Sequence, residues 1–187
     1  MIDEVMFNFA DRIYELLFSP FHYPDMLWII TPLFLAMILQ ELYFARYKFE
    51  ELGWNSAYAN GLVLIFVAID LFRILYNSNE LTFISQRNVL VITLTVVGIV
   101  LAVLNYLHLW NKEFAFGISS KLPTNFVVYM AVVLIYSRIP IDLYTLFASV
   151  IVLLIFILII LGIQFIVPKA IELDEDEYKE SRNAPHP

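Results

Sequence analysis

The sequence contains no cysteine. Disulfides, cysteine-ligated zinc, iron–sulfur clusters and a thiol nucleophile are therefore excluded. Glycine is scarce, 5 residues in 187 and none clustered, so a phosphate-cradling loop has no material. The 3 histidines, His22, His108 and His186, are too far apart for a His-Glu-x-x-His zinc helix. A Gly-x-Ser-x-Gly nucleophile elbow is missing as well. No enzyme class, metal or cofactor is expected on these grounds.

Charge is also in short supply. Charged residues make up 16% of the chain, against about 25% in average proteins. Hydrophobic residues reach 61%, where soluble domains have roughly 45–50%, and mean hydropathy is +0.78. A water-soluble fold of this length could not hide so much apolar surface. The net charge of −7 argues against nucleic acid, which demands a basic patch. It argues equally against polybasic attachment to anionic lipid.

What is present is a series of long uncharged segments. Residues Met1–Phe18 read as an amphipathic helix: Ile2, Val5, Met6, Phe9, Ile13, Leu16 and Leu17 share one face. Its polar face has no partner in lipid, so it is expected to lie in the interface and to end at Ser19-Pro20. The segment lacks the pattern of a cleavable signal peptide, and the first span is expected to serve for insertion.

Five spans are predicted, near 26–45, 54–76, 88–110, 122–138 and 143–167. Asp25 is placed to cap the first, which contains Pro32, and Trp54-Asn55-Ser56 opens the second. Arg46, Lys48, Glu50 and Glu51 connect the first two; Asn111-Lys112-Glu113 closes the third. The fourth is short, about 25 Å at ~1.5 Å per residue. The residues 169–187 form an acidic, disordered tail. The fold class is thus all-α: a polytopic membrane bundle with an amphipathic interfacial helix.

Basic residues set the expected orientation. With the N-terminus outside, Arg46, Lys48, Lys112, Lys121, Lys169, Lys179 and Arg182 lie inside, and Arg12, Arg73, Arg87 and Arg138 lie outside. The tail is then cytoplasmic in a cell membrane.

Several polar residues fall within the spans. Asp70 is costly there unless paired or protonated, and Arg73 lies one turn away on the same face. The pair reads either as a proton or cation site or as a packing ion pair. Asn88, Thr95, Gly98, Ala102 and Asn105 form a stripe on the third span, and Ala57, Gly61 and Ala68 form one on the second. Such stripes serve close helix packing, or would line a polar path. Gln40, Glu41, Asn60, Asn105 and His108 collect near the inner ends, where His108 and Glu41 would form a proton-sensitive pair. Arg138 and Asp142 flank Pro140 as a capping or solvated pair, and Asp70 with Asp142 would be the material for an intramembrane hydrolase. The aromatic residues fit interfacial belts.

The leading expectation is a non-enzymatic membrane subunit. Its partners would be the bilayer and other membrane or membrane-associated proteins, or further copies of itself. A proton- or cation-coupled transporter or channel component centred on Asp70 is the alternative, and the hydrolase a distant third.

Overall fold

The computed structural model describes residues 2–46, 53–82 and 85–166. The Arg46–Glu51 connection falls largely outside them, as do the tail and the side chain of Gln40. Among the described residues every regular element is helical. They are α1 (Ile2–His22), a short 3-10 turn (Pro24–Met26), α2 (Leu27–Arg46), α3 (Trp54–Asn77), α4 (Gln86–Tyr106), α5 (Lys112–Ile118), α6 (Lys121–Tyr136) and α7 (Leu143–Ile166). Four stretches are long and apolar enough to cross a bilayer: α3, α4, α5 with α6, and α7. The α1–α2 pair, bent by 79° at the 3-10 turn, makes a fifth when the bent pair is counted as one span.

The elements alternate in direction. The α1–α2 elbow, the α3–α4 turn and the α6–α7 turn share one end, hereafter the elbow end. The helix break at Ser119 lies at the other. α6 is the hub, packing on α1, α2, α3, α4 and α7. Of its apolar window with α5, 61% is buried, against 22% for α7. The unbroken run Val128–Ile135 is buried on all sides, as befits an element with neighbours all round.

Helix ends and caps depart from the sequence-based reading in five places. α1 passes through Pro20 to His22 instead of stopping at Phe18. Proline has no N–H for the Leu16 carbonyl, and the Tyr129 hydroxyl of α6 donates to that oxygen at 2.7 Å. α4 stops at Tyr106, not Trp110, because Trp110 folds back onto Asn105. Asn111 does not end a span; it caps α5 by accepting the Glu113 N–H at 3.0 Å. Asp25 and the Asn55-Ser56 pair do not cap: Asp25 sits within the 3-10 turn after Tyr23, and α3 starts from Gly53 without a side-chain bond.

The shortage of glycine shows at the helix exits. Asn79, His108 and Arg138 take left-handed backbone conformations, with φ of 54°, 53° and 56°, at the ends of α3, α4 and α6. Glycine is the usual residue there. At the first two, the following N–H groups close back on the helix, Glu80 onto Leu75 and Leu109 onto Leu104.

Candidate functional site

Three sets of polar side chains tie elements together. The first tie is at the elbow end. Asp70 accepts from Arg73 Nε at 2.9 Å and Nη2 at 2.5 Å, the i,i+3 pair read from the sequence. Its second oxygen accepts from the Tyr136 hydroxyl of α6 at 3.0 Å. The Asp70 side chain is 25% exposed and that of Arg73 60%, so the arginine reaches outward while the carboxylate is held between two helices.

A second tie closes the opposite end. Asn105 is fully buried; its amide donates to the Ala57 carbonyl at 3.2 Å and to Ser119 Oγ at 2.9 Å. Its oxygen accepts from Trp110 Nε1 at 2.9 Å. Asn60 donates to the Ser119 carbonyl at 2.6 Å. Ser119 terminates α5, so its carbonyl is free of the helix ladder and available to another donor. Three segments therefore meet at one buried serine.

The third tie holds the turns at the elbow end. Glu80 receives Arg87 at 2.9 Å and Arg138 at 2.7 Å, one arginine on each oxygen. Arg87 also donates to the Arg138 carbonyl at 2.9 Å. Asn88, the first residue of the predicted stripe, is buried and donates to the carbonyls of Glu80 and Thr82. Arg138 thus pairs with Glu80 and not with Asp142. Asp142 instead accepts the Thr145 N–H at 2.8 Å at the start of α7, with Arg12 3.8 Å away. That backbone bond is the main influence holding the Asp142 carboxyl below its ordinary pKa.

The small-residue stripes meet face to face. Ala57, Gly61, Ala68, Gly98 and Ala102 are all buried along α3 and α4. A Cβ on Gly61 would lie 2.8 Å from the Ala102 backbone nitrogen, and one on Gly98 3.1 Å from the Gly61 carbonyl. Thr95 is half-buried and bonds the Val91 carbonyl of its own helix at 2.8 Å. These contacts fill the contact line between the two helices with backbone.

Two predicted groupings do not form. Glu41 accepts from Gln164 of α7 at 3.0 Å, and His108 is exposed with its ring edge-on to Trp54, centroids 4.4 Å apart. They are not paired, because His108 sits in the turn beyond α4. Asp70 and Asp142 have separate partners. Among the described residues no group of three or more His, Asp or Glu is placed to hold a metal ion.

The partners that sequence reasoning missed are Tyr136, Tyr129, Ser119 and Glu80. The two tyrosines were counted with the interfacial aromatics. Their midspan and end-span hydroxyls, which must find acceptors when buried, were the available signal.

No family model, curated protein or solved structure matches this chain.

Proposed function

We propose that this chain is a multi-pass membrane protein that works by binding other membrane components, as a non-enzymatic subunit. One observation carries the reading: Asp70, Asn105 and Glu80 tie separate elements together through polar bonds, while large apolar side chains face outward. Trp28 is 85% exposed, Leu158 66% and Phe165 91%. Surface of that kind is stable only against lipid or protein. Helices α2, α3, α4, α6 and α7 are the five spans, and α1 lies across the elbow end as an amphipathic interfacial helix. The orientation is N-terminus outside with a cytoplasmic acidic tail, which would dock a basic partner.

Photo-crosslinking side chains placed at Trp28, Val97 and Leu158 in native membranes test the reading. Discrete protein adducts at one or more positions support it. Lipid adducts alone at all three would remove the protein-binding role.

A second reading deserves its own test because the Asp70 carboxylate is shared between Arg73 and a hydroxyl from another helix. That arrangement would suit a proton or cation path. In proteoliposomes, Asp70→Asn is expected to leave ion flux unchanged. A wild-type flux that disappears in a still-folded Asp70→Asn protein would favour transport over binding.

A further inference from the structure

The elbow creates a space that the ties above do not use. α1 roofs it with Leu17 and Phe21, α2 walls one side with Ile30 and Phe34, and α7 walls the other with Ile155 and Ile159. Its volume is about 530 Å3, within the range of roughly 300–1,000 Å3 typical of ligand pockets.

We propose that this cavity holds one acyl chain of a bilayer phospholipid, taken from the leaflet on the elbow side. The inference rests on the membrane reading above.

Chemistry excludes a polar occupant. No charged residue lines the cavity, and its polar members are Thr31 and Tyr129. The Tyr129 hydroxyl is committed to the Leu16 carbonyl. Pro20, also in the wall, has no N–H to offer.

Length selects a single chain. Along α2 the lining runs from Leu27 to Ile38, a rise of about 16 Å at ~1.5 Å per residue. One leaflet contributes about half of a ~30 Å hydrocarbon core. The cavity therefore runs as far as one leaflet's chains do. Its α2 lining begins at Leu27, next in sequence to the outward-facing Trp28, where a headgroup and its aromatic neighbours belong.

The side is open, since Leu35 and Ile159 are exposed, so a chain enters laterally from the surrounding lipid.

The test uses Phe34→Trp as a reporter inside the cavity and Leu158→Trp as one on the open surface. Both are made in a Trp28→Phe background, and the Trp54 and Trp110 baseline is subtracted with that parent. Proteins are reconstituted in phosphatidylcholine with rising fractions of its dibrominated form, which quenches tryptophan on contact. The Phe34→Trp emission is expected to fall about twofold or more, following occupancy by mass action. Filling the cavity with Leu35→Phe and Ile159→Phe is expected to reverse most of that loss and leave Leu158→Trp quenching intact. Thr31→Trp is the replacement reporter should Phe34→Trp fail to run as one species.

Unquenched cavity reporters beside a quenched Leu158→Trp overturn the proposal and leave membrane insertion standing. Quenching that the filling substitutions do not change also overturns it. Protection that appears with self-association assigns the cavity to a second copy instead. If Leu158→Trp itself is unquenched, the membrane reading falls and takes the acyl chain with it.

Discussion

The α3–α4 pair and the α2–α6–α7 group meet the same requirement, holding apolar helices together, with different materials. Between α3 and α4 the contact is backbone on backbone, made possible by Gly61 and Gly98 and locked at one end by Asn105. Among α2, α6 and α7 it is ring on ring. Phe34 meets Phe156 at 5.2 Å and Tyr129 at 5.8 Å between centroids, and Phe126 meets Phe156 at 5.7 Å. Close backbone approach leaves no voids, because small residues let two cylinders touch along a line. Aromatic rings fill space in large, separate pieces, and the cavity under the elbow is what remains between them. The first arrangement is a closed seam; the second leaves a cavity.

This contrast is tested most severely at Gly61. Replacing it with leucine drives a side chain into the Ala102 backbone, which cannot move aside as a flexible side chain would. A loss of about 3 kcal/mol is expected, the upper range for overpacking, read as a shift in denaturant unfolding in mixed micelles. The comparable enlargement Ile159→Phe, at the cavity, is expected to be nearly neutral. Equal losses at the two sites would erase the distinction.

Asn105→Leu comes next. It removes three hydrogen bonds and strands Trp110 Nε1. Membrane hydrogen bonds average about 0.6 kcal/mol, with ~1.7 at most, so a total near 2 kcal/mol is expected in the same unfolding measurement. Tyr129→Phe is the matching change on the aromatic side. It keeps the ring packing but leaves the Leu16 carbonyl without its donor, for about 1 kcal/mol. Faster amide exchange in α1, with α3 and α4 unaltered, is the expected signature.

Acid gives the smallest effect. The Asp142 carboxyl is held below its ordinary range by the Thr145 N–H, so its stabilising contribution is complete above the ordinary carboxylate pKa. That contribution is lost as pH falls through the lowered value. Amide exchange at the first turn of α7 should therefore quicken in acid, and Asp142→Asn should flatten that response. A pH profile identical in the two proteins would separate the cap from the titration.

How much of this was legible depended on the range of the interaction. The apolar segments, the Asp70–Arg73 pair and the glycine and alanine stripes all repeat within one helix, and periodicity exposes them. Tyr136 to Asp70, Ser119 to Asn60 and Tyr129 to Leu16 join residues 66, 59 and 113 positions apart. No local pattern encodes such pairings; only packing brings them together. The helix ends were misjudged for the same reason. Pro20 is a stop signal by itself, and it loses that meaning once a hydroxyl from α6 meets the freed carbonyl. His108 and Glu41 show the opposite error: similar predicted depth did not make them neighbours, since one lies beyond its helix and the other faces α7.

The serine at the break between α5 and α6 also has a bearing on biosynthesis. Chains are made from the N-terminus onward. Asn60 and Asn105 therefore leave the ribosome before the residue that satisfies them. Until Ser119 is made, Asn60 lacks its final acceptor and Asn105 has only the Ala57 carbonyl for its amide N–H groups. Emergence of Ser119, early in the Lys112–Tyr136 stretch, is the moment at which both amides can close on it.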